Sequence, residues 1–133
     1  MLLVDTNVIL DVVEDDSSWY SWSVDQLHRQ SKAHELLINP VIYAELACFF
    51  ASPHMLDFTL EDLEMRFQDI PKLGLYFAGV AHRHYRRAGG PRESILPDFL
   101  IGAHAAALGC GILTRDTRRY RSYFPRVPLV TPS

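Results

Sequence analysis

Apolar residues in this chain fall in short unbroken runs, separated by longer stretches of mixed character. Residues 1–4, 36–38, 112–114 and 127–130 are such runs. Apolar runs of three or four residues between turn-forming residues read as strands buried on both faces. The intervening stretches carry helical signals. Residues 8–13 form a short apolar helix start after the turn Asp5-Thr6-Asn7. Asp15, Asp16, Ser17 and Ser18 supply N-cap candidates for a helix over 19–31. Asn39 followed by Pro40 suits the N-cap and first position of a helix running through 41–50 and stopping before Pro53. Thr59 and Asp62 resemble a capping box for a helix near 60–68. A further helix spans 75–88 and ends at Gly89-Gly90-Pro91. Another spans 96–108, where Gly109 is a good stop.

Strands alternating with helices predict an α/β fold with a central parallel sheet of short strands flanked by helices. No internal repeat, low-complexity segment or linker interrupts residues 1–133, so one domain is expected. No apolar run approaches the roughly 18 residues that span a bilayer. The start lacks a basic segment and Asp5 interrupts its apolar run, so no signal peptide is expected and the location should be cytoplasmic. Cys48 and Cys110 are widely spaced in apolar or small-residue surroundings. They are expected as buried free thiols.

Four acids stand at special points of this pattern. Asp5 ends the first apolar run, and Asp116 follows the third. Glu45 lies between Tyr43-Ala44 and Leu46-Ala47, in a helix with little other polarity. Asp98 follows Pro97 and leads into Phe99-Leu100-Ile101. In parallel sheets ligands bind beyond the carboxyl ends of the strands. Singly, each acid has an ordinary structural use: Asp5 as a helix cap, Asp98 as an acid favoured by the helix dipole, Asp116 as a turn residue. Together they suggest a carboxylate cage for a hard divalent cation, Mg²⁺ or Mn²⁺. A metal held by carboxylates suits phosphodiester hydrolysis, because it activates water and neutralises charge on the phosphate oxygens.

The charge distribution points the same way. The net charge of −3 conceals 13 acids against 4 bases over residues 1–81, and 3 acids against 9 arginines over residues 82–133. Arginine suits phosphate because its planar fork engages two oxygens. Arg115, Arg118, Arg119, Arg87 and Arg92 are the candidate contacts to phosphate.

Taken in order, Leu3-Val4-Asp5-Thr6-Asn7-Val8, Tyr43-Ala44-Glu45-Leu46, Pro97-Asp98-Phe99-Leu100-Ile101-Gly102-Ala103-His104-Ala105 and Leu113-Thr114-Arg115-Asp116 resemble a PIN-domain nuclease. The closing stretch from Thr114 to Pro125 is especially similar to the VapC-type ribonuclease toxins of toxin–antitoxin pairs. The resemblance covers essentially the whole chain, loosely over 53–72. It implies Mg²⁺- or Mn²⁺-dependent cleavage of RNA, leaving a 5′-phosphate and a 3′-hydroxyl, so that the phosphate met by those arginines is that of RNA. It also implies metal-ligand roles for Asp5, Glu45, Asp98 and Asp116, and accessory polar roles for Asn7 and Thr114. A homodimer and a cognate antitoxin partner are implied as well, with no membrane.

Two other classes compete. A non-catalytic α/β module could keep the acids for metal or RNA binding. A phosphatase also starts from an acid at a strand end, but that class wants Asp-x-Asp, and position 7 is Asn. Trp19, Tyr20 and Trp22 read as core or partner surface. His82 and His84, two apart, do not share a helix face and make a poor metal pair. His104 reads as a helix residue with a local hydrogen bond.

Overall fold

The computed structural model describes residues 1–15, 18–91 and 96–132, apart from the side chain of Arg119. Within them a five-stranded parallel sheet is flanked by helices. The elements in chain order are β1 (Leu2–Val4), α1 (Thr6–Glu14), α2 (Tyr20–Ala33), β2 (Leu36–Ile38), α3 (Pro40–Ala47) and α4 (Pro53–Asp62). They continue as β3 (Met65–Phe67), α5 (Lys72–Arg87), α6 (Leu96–Leu108), β4 (Gly111–Leu113), α7 (Arg118–Tyr123) and β5 (Leu129–Val130). The strand order is β3-β2-β1-β4-β5. In register, Leu2 and Leu3 of β1 face Leu36 and Leu37 on one side and Gly111 and Ile112 on the other.

This order has a consequence for function. The chain builds outward from β1 through β2 to β3, then returns to lay β4 and β5 on the opposite side. Strand order therefore reverses between β1 and β4, and a crevice opens there at the carboxyl ends. Asp5 leaves β1 and Thr114 leaves β4 at that point. Every residue of β1 and β2 is buried, as expected of strands covered on both faces.

Three boundaries differ from the sequence reading in informative ways. The helix expected near 60–68 is not there. Instead α4 starts at Pro53 with Ser52 as its cap, whose hydroxyl accepts from the Met55 amide. Thr59 sits inside α4 and donates back to the Met55 carbonyl. Glu64, with φ of 59°, turns the chain into β3, an edge strand the sequence pattern concealed. Met65 alone of its three residues is buried, so the apolar run that marks an interior strand is missing. The helix expected over 41–50 ends earlier, at Ala47.

Other expectations correspond closely. Asn39 caps α3 through its side-chain oxygen, with Pro40 at the first helical position. Gly109 ends α6 with φ of 68°, a conformation that costs glycine little. The N-cap of α2 is not Ser18 but Trp19, which makes no side-chain cap bond, and of the other candidates Asp16 and Ser17 lie outside the described residues. Asp15 instead closes α1 in the left-handed region. Cys110 is buried, but Cys48 is exposed, because α3 ends before it and turns its side chain outward.

Helices α5 and α6 make the most extensive helix–helix contact. They run antiparallel. Gly74 near the start of α5 lies against Ala103 and His104, while His82 and Tyr85 near its end meet Phe99. The C-terminal end of α5 therefore stands beside the first turn of α6, which carries Asp98. On the other flank, a Cβ at Gly102 would come within 2.4 Å of the Phe124 ring. This close approach seats α7 against α6 and brings Tyr120 into the core. Among the described residues no helix is long and apolar enough to cross a membrane.

Candidate active site

Asp5 is the centre of the crevice. It caps α1, with Oδ1 accepting from the Thr6 amide at 2.8 Å. Its Oδ2 accepts from the Thr114 hydroxyl at 2.8 Å and the Tyr120 hydroxyl at 2.9 Å. The Asn7 amide adds a longer contact of 3.4 Å. A carboxylate with this many donors would ordinarily be acidic. Burial wins instead, raising the Asp5 pKa from 3.8 to about 6 against the donors Thr114, Tyr120 and Thr6, with the Asp98 charge adding to the rise. The protein therefore holds a buried negative charge at neutral pH with no cationic side chain hydrogen-bonded to it among the described residues.

Tyr120 reports which acids share this space. Its hydroxyl is held well above the usual tyrosine range, first by burial and then by the charges of Asp5, Asp98 and Asp116. Three acids, from the end of β1, from α6 and from the loop after β4, are thus felt by one phenol, though only Asp5 is hydrogen-bonded to it. Glu45 joins through Thr6, whose hydroxyl donates to Oε1 at 2.6 Å. Helix α3 brings Glu45 in because it starts at the carboxyl end of β2, beside β1.

The accessory residues tie the edge together. Asn7 spans the crevice: its Oδ1 accepts from the Arg115 amide at 3.2 Å, and its Nδ2 lies 3.4 Å from the Thr114 hydroxyl. Thr114 Oγ1 also accepts from the Asp116 amide at 3.0 Å. Asp116 itself is exposed. All the oxygens gathered here are hard donors, which suits Mg²⁺ or Mn²⁺. They are not closed into a cage: among the described residues, no three acidic, histidine or cysteine side chains stand close enough to hold an ion as placed. The fit to a cation thus rests on donor chemistry and on the buried charge of Asp5, which no cationic side chain among the described residues hydrogen-bonds.

Arg115, expected as a phosphate contact, is paired within the chain. Its Nε and Nη2 grip the two oxygens of Asp11 at 2.7 and 2.9 Å. Asp11 is buried on α1 and also accepts from Ser23 of α2 at 2.7 Å. The guanidinium lies 5.4 Å from the Trp19 ring centroid, within cation–π range. Its charge is spent on holding the β4–α7 loop to α1 and α2. Arg118 and Arg87 are exposed, and Arg92 lies outside the described residues, as does the side chain of Arg119.

Sequence reasoning passed over Tyr120 and Asp11. Tyr120 lay within the quoted closing stretch, but nothing in its neighbours marks it as buried. Asp11 had a usable signal: it sits in an apolar helix, Ile9-Leu10-Asp11-Val12-Val13, as Glu45 does in its own. His104 is fully buried, and its partner is distant: Asn39 Nδ2 lies 3.2 Å from Nδ1. The Asn39 oxygen is committed to the Ile42 amide, so its NH₂ must donate and Nδ1 must accept. The ring proton is then on Nε2, which is buried with no hydrogen-bond partner among the described residues.

The family model for the PIN domain matches residues 2–126. A search of curated proteins found no match. Solved structures of the same fold include VapBC2 from Rickettsia felis bound to a DNA fragment from its promoter, with TM-score 0.73 and 16% identity over 98% of this chain and 97% of that one. DNA-bound VapBC from Salmonella typhimurium gives 0.72 and 16% over 98% and 96%. A toxin–antitoxin complex from Klebsiella pneumoniae gives 0.67 and 20% over 100% and 98%. At these identities the likeness speaks for the fold.

Proposed function

Because the chain belongs to the PIN domain family, we propose that it is a Mg²⁺- or Mn²⁺-dependent endoribonuclease and the toxin of a toxin–antitoxin pair. The observation that carries this reading is the buried Asp5 carboxylate held by Thr114 and Tyr120 at the point where strand order reverses, with Glu45 tied in through Thr6. Asp5, Glu45, Asp98 and Asp116 are the proposed metal ligands. When bound, a divalent cation supplies an activated water near neutral pH and neutralises charge on the phosphate. Thr114, Tyr120 and Thr6 hold the Asp5 carboxylate in one orientation. Asn7 keeps the loops after β1 and β4 in register. No serine, cysteine or histidine is needed as a nucleophile, so water attacks directly.

Partners belong to the same proposal. The structures of matching fold are described as VapBC and toxin–antitoxin complexes, which supports an antitoxin partner. Two apolar sets stand open for an antitoxin and for the mate of a homodimer. One is Leu73, Leu75, Tyr76 and Phe77 on α5; the other is Phe49, Met55, Phe58 and Phe67 around α3, α4 and β3. The open spacing of the acids favours one other reading, a non-catalytic module that binds metal or RNA.

Cleavage of a labelled single-stranded RNA separates the two. Wild type with Mn²⁺ should cut it, and excess chelator or Asp98→Ala should abolish cutting while the folded signal persists. Full cleavage by Asp98→Ala, or in chelator, would overturn the nuclease reading proposed here.

A further inference from the structure

The last turns of α5 present His82, Arg83, Arg86 and Arg87 around a cavity of about 410 Å³, with Gly79 at its end. Positions 79, 83 and 86–87 follow helical spacing, so they share one face. Among the described residues none of these three arginines pairs with a carboxylate; the only ion pairs are Arg29–Asp25, Arg66–Glu35 and Arg115–Asp11. A Cβ at Gly79 would meet nothing within 4 Å, so the cavity is open at that end. Basic residues in a last helical turn are favoured by the helix dipole. That effect fades beyond the terminal turn and gives no reason for Arg83 and His82 to line the same cavity.

The position of this face is the decisive point. His82 lies 6.0 Å, ring to ring, from Phe99, and Tyr85 lies 5.6 Å from it. Phe99 is the residue after Asp98. The end of α5 that carries the cavity therefore packs beside the first turn of α6, the turn that carries Asp98. Meanwhile Arg115, the arginine nearest Asp116 in sequence, is neutralised by Asp11. The α5 arginines, like the exposed Arg118 on α7, keep their charge, but the α5 set alone of these is gathered around a cavity among the described residues.

We propose that this face of α5 is the phosphate-binding wall of the substrate path: it holds the backbone of single-stranded RNA and feeds the scissile bond toward Asp98 and Asp5. The proposal rests on the nuclease reading and goes further by naming the substrate's route. Arg83, Arg86 and Arg87 each offer a fork of donors to phosphate oxygens. They contact backbone, so they add affinity without reading sequence. His82, stacked on Tyr85 at 6.5 Å, is fixed as part of the wall.

The test is a triple substitution, Arg83→Gln with Arg86→Gln and Arg87→Gln, on the full chain. A control triple, Lys32→Gln with Lys72→Gln and Arg126→Gln, removes the same charge from exposed sites elsewhere. Affinity for a fluorescein-labelled single-stranded RNA of mixed sequence is followed by anisotropy against salt, and cleavage with Mn²⁺ is measured in parallel. The α5 triple should raise KM about tenfold or more with kcat little changed. Its log–log salt slope should be shallower by about 1.4 to 2, two to three contacts at roughly 0.7 each for single strands. The control triple should change the slope by less than one contact. A slope unchanged in the α5 triple, with wild type still cleaving, overturns the path, leaves the nuclease reading standing and reassigns the face to an acidic protein partner. Equal losses in both triples also overturn it, because net charge alone would then be responsible. Failure of wild type to cleave RNA at all overturns the nuclease reading, and the path falls with it.

Discussion

Replacing Asp5 by Asn should make the metal-free protein more stable at neutral pH while destroying its activity. The buried Asp5 carboxyl has its pKa raised from 3.8 to about 6. A group whose folded pKa is raised stabilises the fold below its unfolded pKa and loses that contribution as pH rises through the folded value. A shift of about two units corresponds to about 3 kcal/mol, at 1.36 kcal/mol per unit, withheld from the wild type above pH 6. Asn carries no charge, so it escapes this cost. Asn keeps one oxygen for the Thr6 cap and turns its NH₂ toward Thr114 and Tyr120, whose hydroxyls must rotate to accept. That rearrangement costs about 1 kcal/mol. Asp5→Asn should therefore be more stable by about 2 kcal/mol near pH 7.5 and about level with wild type near pH 4.5. The assay is urea unfolding in chelator, followed by tryptophan fluorescence, with the difference between the two proteins plotted against pH. Taking the difference cancels every other titrating group to first order. A difference that stays flat between those two pH values would show that Asp5 is not a strained buried charge, and the electrostatic case for a cation there would fail.

Arg115→Met should leave the salt slope of RNA binding unchanged but lower kcat and speed amide hydrogen exchange at Asp116 and Thr117, because its guanidinium holds a loop through Asp11. A shallower slope would place Arg115 on the RNA after all. His104 has a lowered pKa because of burial. Its unfolded form takes up protons first, so its share of stability is present above about pH 6.5 and is lost as pH falls below it. The stability difference between wild type and His104→Gln should tilt in that window; no tilt would mean the ring is solvated. Gly102→Ala should cost about 1–3 kcal/mol by overpacking against Phe124, read as a lower urea midpoint. A neutral result would mean α7 shifts freely on α6.

Much of the architecture was legible because parallel α/β folds write themselves in local pattern. Runs of three or four apolar residues pointed to strands, and 36–38 and 96–108 match β2 and α6 in full, while 127–130 shortens to the half-buried edge strand β5 at 129–130. Asn39-Pro40 and Gly109 act through their own backbone preferences, so their roles needed no neighbours to be seen. β3 escaped because an edge strand is paired on one side and half exposed. Its stability comes from hydrogen bonds to β2 rather than from a buried apolar run. The acids were found for the opposite reason: charge at a strand end or in an apolar helix contradicts its surroundings, and contradiction shows in sequence.

What holds those acids did not show, and only the tertiary structure decided it. Tyr120 reaches Asp5 across 115 positions of sequence, and Arg115 reaches Asp11 across 104. Such bonds follow from how α7 packs on α6 through Gly102, and from β4 lying beside β1. Local periodicity tells which face of an element is buried. It does not tell which distant side chain arrives there, because that depends on sheet order and helix packing across the whole chain. The same limit applies to the basic residues. Their number was plain from the sequence, but only packing neutralised Arg115 with Asp11 and set the end of α5, with its arginines unpaired to any acid among the described residues, against the first turn of α6.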